Sequence, residues 1–440
     1  MRSSINESTY SGELRLHRSL LPNGLRILLA PDGTAPVVGV SVHYGVGFRS
    51  EPQGRSGFAH LFEHLMFQGS ESLKKLSHSR YVQGAGGKFN GITHQDYTSF
   101  FEVLPSVALE RALFLEADRM RAPRITEKNI RTQVAVVREE ILNNIDSKPY
   151  GGIPWIHLPP VMYQDFSNSH NGYGELEDLA GITVDECVDF FSLYYSPANA
   201  VLTVVGDLDV DRTLEMIHHH FADISERPPP SPPLSAEQPL CRERYGWRAD
   251  ALAPAPALAA GYRLPDPLDS FRFYSAHLAI SHILCGRPTS RFRERLVQEG
   301  SAIAAESACG LFGKPFDARD PDTLTVVVTH PSAVGHRKVT TALDQELERL
   351  ATVGPTPGEL ASFKALWRAR LYREHDDPSS RMLRLGAFEL LYGRANAAVE
   401  LPHHINGVTA DDVASAARGM RPETRGVLLV EPRPRSTGNG

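Results

Sequence analysis

Ser56-Gly-Phe-Ala-His-Leu-Phe-Glu-His-Leu-Met-Phe-Gln-Gly69 sets His60, Glu63 and His64 in an H-x-x-E-H pattern. The apolar residues around them (Phe58, Leu61, Phe62, Leu65, Met66) suit a buried helix, and Gly69 suits the residue that ends it. Positions four apart lie one turn above each other, so both imidazoles project from one face. Two nitrogens so placed can share one zinc ion, with Glu63 near enough to take a proton from a water on it. The order is the inverse of the H-E-x-x-H zinc motif. The competing reading is a satisfied core cluster. Two buried histidines and a glutamate in one turn are costly without a partner, which favours the metal.

Two strands precede this helix. Leu20-Leu-Pro-Asn-Gly-Leu-Arg-Ile-Leu-Leu29 carries an Asn23-Gly24 turn before an apolar run, and Val37 to Val46 gives a second strand, the two read as an antiparallel pair. Lys74 to Gln83 reads as a helix, and Lys88 to Leu104, rich in aromatic and β-branched residues, as one or two strands. Val107 to Arg121 is an amphipathic helix, and Thr126 opens another. In that one, Ile130, Val134, Val137, Ile141 and Ile145 recur at helical spacing. At about 100° per residue Glu139 points away from this stripe, while Glu140 sits on its edge. An edge carboxylate can reach a site inside the fold. Glu140 is therefore the better third ligand, the alternative being an ordinary boundary glutamate.

Composition excludes other classes. The chain has 440 residues, 22% of them charged, with net charge −6 and no basic run, which argues against a nucleic-acid partner. No apolar run reaches membrane-spanning length, and Met1 to Tyr10 lacks the apolar core of a signal peptide. Cys187, Cys241, Cys285 and Cys309 are scattered and read as reduced thiols, so a cytoplasmic setting is expected.

The two halves repeat. Gly181-Ile-Thr-Val-Asp-Glu186 recurs as Gly407-Val-Thr-Ala-Asp-Asp412, and Pro105-Ser-Val-Ala108 as Pro331-Ser-Ala-Val334, each after 226 residues. Ala59-His60-Leu61 has an echo in Ala276-His277-Leu278, but Ile280 and Ser281 stand where the glutamate and second histidine would be. His218-His219-His220 reads as a helix end that favours histidine through its dipole rather than as a site. Residues 227 to 245, with Pro228-Pro-Pro-Ser-Pro-Pro233 inside, form a stiff linker. The expected architecture is α+β: a zinc-binding domain over 1–226 and a homologous domain over 246–440 without the metal site. Each is expected to be an antiparallel sheet flanked by helices.

Along nearly its whole length the chain resembles the pitrilysin/insulinase-like zinc metallopeptidases, the group that includes the mitochondrial processing peptidase. The resemblance rests on Leu21-Pro-Asn-Gly-Leu25, Gly57 to Gly69, Phe89-Asn-Gly-Ile-Thr93, Pro149-Tyr-Gly151 and Tyr195-Ser-Pro-Ala-Asn199. It implies a peptidase with one zinc ion per chain held by His60, His64 and Glu140, with Glu63 as general base. Phe89, Asn90 and Gly91 match an edge strand that receives extended peptide substrate by backbone pairing. Many members carry an acid seven positions before the third ligand; here Gln133 stands there.

A second departure concerns partners. Single-chain members, and the partner subunits of two-chain members, use an Arg and a Tyr near the zinc; the matching positions here are Leu296 and Ile303. Neither can donate a hydrogen bond to a developing oxyanion. Arg291, Arg293 and Arg295 nearby read as a solvated basic face. The expectation is a zinc-bearing subunit of a two-chain endopeptidase working inside a closed chamber, its partner a homologous subunit lacking the zinc motif but carrying the Arg/Tyr pair. The alternatives are a self-sufficient homodimer and a non-catalytic scaffold of the same fold.

Overall fold

The structure, a computed structural model, describes residues 8–11, 14–231 and 237–432. The start of the N-terminal stretch and the centre of the expected linker, residues 232–236, lie outside the described residues. Two compact units emerge, neither continuous in sequence. The first takes the described residues of Met1–Val137, Gly172–Pro233 and Leu371–Leu401; the second takes those of Arg138–Asn171, Leu234–Arg370 and Pro402–Gly440.

The first unit is built on a seven-stranded sheet in the order β1-β2-β3-β7-β4-β6-β5. Its strands are β1 (Ser8–Ser11), β2 (Leu14–Leu20), β3 (Arg26–Pro31), β4 (Val37–Tyr44), β5 (Lys88–Thr93), β6 (Thr98–Pro105) and β7 (Ala200–Gly206). The second unit holds a five-stranded sheet in the order β10-β11-β9-β12-β8. These are β8 (Arg244–Asp250), β9 (Ala257–Arg263), β10 (Ala304–Cys309), β11 (Thr323–Thr329) and β12 (Arg425–Pro432). The five strands β3-β7-β4-β6-β5 repeat as β8-β12-β9-β11-β10. In each set one pair is parallel (β3 with β7, β8 with β12) and the others are antiparallel.

Two expectations are corrected here. The strands after Asn23-Gly24 and from Val37 do not pair, because β7 is inserted between β3 and β4. Every residue of β7 is buried, and such a strand gains most in the centre of a sheet. The parallel pair in each sheet likewise follows from this late strand entering the middle. The turn itself stands: Gly24 adopts a left-handed φ of +85° and closes β2 onto β3. Asn23, buried, donates its amide to the carbonyls of Phe221 and Ile224.

The packing also departs from a linear division at residues 226 and 246. The helix Pro378–Tyr392 covers the sheet of the first unit, where Met382 fills the space above Gly39 and Gly386 sits against His43. Arg381 pairs with Asp32 at 2.5 Å on the same face. In the second unit the cover comes from the first half of the chain. Leu158 and Met162, flanking and within the short helix α5 (Pro159–Met162), pack with Ala257, Ala259, Leu428 and Val430. An apolar sheet face must be buried, but that demand does not say which segment buries it.

Repetition extends to the caps. The helices Val184–Tyr194 and Ala410–Gly419 both begin with a capping box, Thr183 with Glu186 and Thr409 with Asp412. Each runs through a 3-10 turn into an inner strand, β7 or β12.

Candidate metal centre

The motif lies on α1 (Phe58–Leu65), between β4 and β5 in sequence. Phe58, Ala59, Leu61, Phe62 and Leu65 are buried, leaving His60, Glu63 and His64 half-buried on the remaining face. The helix starts at Gly57, whose φ of +88° is left-handed; a Cβ there would also strike the Tyr173 carbonyl and Gly174. Glu51, buried, accepts from the Gly57 and Ala59 amides at 2.8 Å each, a carboxylate on the orphan donors of a helix N-terminus. The helix ends at Leu65, four residues before Gly69. Phe67 N bonds back to the His64 carbonyl, so the chain leaves through a tight turn before Gly69 takes its positive φ.

His60 Nε2 and His64 Nε2 stand 3.3 Å apart, with the rings nearly perpendicular. Two nitrogens about 2.0–2.1 Å from one tetrahedral ion lie about 3.3–3.4 Å from each other, so the spacing fits a shared zinc. The third carboxylate comes from α4 (Glu127–Ile141), opened by Thr126, whose hydroxyl accepts from the Asn129 amide. Ile130, Val137, Ile141 and Ile145 are buried and Val134 half-buried; Glu139 is exposed, whereas Glu140 is half-buried. The boundary between the units falls inside α4, after Val137, and Glu140 lies beyond it. One potential ligand atom from each of His60, His64 and Glu140 lies within 4.8 Å of the others.

Glu63 is not a member of that triad. Its Oε2 accepts a 2.7 Å hydrogen bond from Thr93 at the end of β5. Gly91 on the same strand leaves room for the Glu63 side chain: a Cβ there would come within 2.8 Å of Glu63 Cγ. Among the described residues β5 is an edge strand, pairing with β6 alone through Phe89 to Glu102, Asn90 to Phe101 and Gly91 to Phe100. Asn90 is exposed, while the Phe89 ring leans on Phe67.

Sequence reasoning missed three neighbours of this centre: Thr93, Glu51 and Tyr173, whose ring meets His60 edge-on at 4.8 Å. Thr93, two residues beyond the quoted Gly91, was the one within reach of a local signal. Glu51 and Tyr173 arrive through loops. The basic stretch in the second half also differs from a solvated face. Arg291 makes a bidentate pair with Glu359, and Arg295 pairs with Glu346 at 3.0 Å. Leu296 is buried there and Ile303 exposed. His218, His219 and His220 join no cluster of metal-ligating groups among the described residues.

Comparison with known proteins agrees over both units. Residues 26–154 match the family Insulinase (Peptidase family M16), and residues 181–366 match the Peptidase M16 inactive domain. The chain is similar to zinc protease PqqE of Helicobacter pylori, 31% identical over 229 residues that span 49% of this chain and 50% of that one. It is also similar to a zinc protease of Mycobacterium bovis, 26% identical over 420 residues, 94% of this chain and 93% of that one. In fold it matches the crystal structure of a protease from Helicobacter pylori with a TM-score of 0.87, at 23% identity, over 95% of this chain and all of that one. The chain therefore belongs to the insulinase, or M16, family of peptidases.

Proposed function

We propose that this chain is a zinc-dependent endopeptidase in which His60, His64 and Glu140 hold the ion and Glu63 is the general base. The observation that carries the reading is the approach of two imidazoles on α1 and one carboxylate on α4, with the two Nε2 atoms 3.3 Å apart. Zinc bound there would supply Lewis acidity toward a water and a peptide carbonyl. Glu63, oriented by Thr93, would accept the water's proton and return it to the leaving amine. The open edge of β5 at Phe89, Asn90 and Gly91 offers unpaired backbone to an extended peptide, so substrates would be peptides or flexible segments rather than folded domains.

Leu296 and Ile303 support a two-chain enzyme in which a homologous subunit brings the Arg/Tyr pair; a homodimer is the second reading. The four cysteines are free, one of them (Cys241) exposed, which supports a reducing compartment. No helix among the described residues is long and apolar enough to cross a membrane. Metal analysis with peptide cleavage by wild type and Glu63→Gln tests the chemistry. The variant should keep its zinc and lose about 10²–10⁴-fold in kcat; retained cleavage would refute the role of Glu63. Assaying the chain alone and mixed with a related chain tests the partnership, and full activity alone removes it.

A further inference from the structure

Where the Phe67 ring meets that of His78 at 5.9 Å, three more groups converge. His78 on α2 (Ser77–Gly84), Glu102 on β6 and Glu116 on α3 (Leu109–Arg121) each place one potential ligand atom within 4.8 Å of the others. Both glutamates are 0% exposed and His78 is 8% exposed. Arg119 pairs with Glu116 Oε1, its guanidinium lying over the rings of Phe67 and Phe100 at 4.8 and 4.5 Å. Nε2 of His78 has no hydrogen-bond partner among the described residues, and the carboxyls of Glu102 and Glu116 have only each other and Arg119 there.

The cluster is short of positive charge. Two carboxylates, Glu102 and Glu116, face the Arg119 guanidinium. A cation, or a proton shared between the hydrogen-bonded carboxyls of Glu102 and Glu116, could restore the balance, and metal loading separates the two. His78 Nε2 stands 3.7 Å from Glu102 Oε2, too far for a hydrogen bond. Two donors that far apart, each about 2.1 Å from a common ion, subtend an angle of about 125° at it.

We propose that His78, Glu102 and Glu116 form a second divalent-cation site, structural in role and separate from the centre on α1 and α4. One nitrogen and two carboxylates suit a first-row ion such as zinc or manganese. Its effect would be to tie α2 and α3 to β6 beside β5, where the Phe89 ring lies 5.8 Å from that of His78.

The test strips the full chain with a chelator, reloads it with excess Zn²⁺, desalts it and measures metal per chain for wild type, His64→Ala and His78→Ala. The expectation is two ions in wild type and one in each variant. One ion in wild type, lost in His64→Ala and kept in His78→Ala, overturns this site while leaving the proposed peptidase centre standing. Two ions retained in His64→Ala would strike that centre instead. Should His78→Ala fold poorly, anomalous diffraction at the zinc edge from reloaded wild-type crystals decides: a peak between His78 and Glu102 supports the site, and its absence there overturns it.

Discussion

Helix α1 of the first unit and the helix Phe271–Cys285 of the second occupy corresponding places in one repeated topology, each preceding the edge strand of its sheet, and each carries Ala-His-Leu. Their histidines have different fates. His60 lies half-buried with a second Nε2 at 3.3 Å and a carboxylate in reach. His277 is buried against its own helix, its Nδ1 3.1 Å from the Phe273 carbonyl, and burial pushes it down to about 4. The turn that brings Glu63 and His64 into place in α1 brings Ile280 and Ser281 here. Their N-termini differ as well: Glu51 reaches in from a preceding turn to cap α1, whereas Ser270 caps the second helix with its own hydroxyl. The same scaffold can thus carry a histidine as a candidate ligand or as packing. The neighbours one turn away decide which.

The strongest break in that comparison should come from Glu63→Gln, set out above, since no counterpart in the second unit could compensate. Next in size is a pH effect confined to the second helix. His277 has a folded-state pKa below its unfolded value, so its contribution is complete above about pH 6.5 and is lost as pH falls through about 4. Over that window it amounts to about 3 kcal/mol. Denaturant melts between pH 4 and 7 should show a steeper acid loss for wild type than for His277→Leu, with zinc content equal in both. A variant that also lost zinc would erase the distinction between the two helices.

A smaller effect sharpens the catalytic side. Thr93→Val removes the 2.7 Å hydrogen bond to Glu63 and should lower kcat roughly tenfold, with KM and zinc content unchanged. Steady-state kinetics read this directly, and an unchanged kcat would show that Glu63 needs no such support. The smallest test probes what the halves share. Thr183→Ala and Thr409→Ala each delete a capping-box hydroxyl and should each cost about 1 kcal/mol in chemical denaturation. Unequal losses would mean the repeated caps no longer carry equal weight.

Local spacing alone determined a good deal here. Residues 60 and 64 share a helix face because four residues make about one turn, and the same angular argument preferred residue 140 to 139. The repeat was legible because capping boxes and turn residues are local chemistry, preserved at one offset. Tertiary structure decided what depends on long-range burial. It inserted β7 between β3 and β4, and it chose residues 138–171 and 371–401 as covers for the two sheets. It also gathered His78, Glu102 and Glu116 from three elements with no shared periodicity. Burying a face or balancing a charge fixes what kind of residue must arrive, while only the folded chain settles which one does.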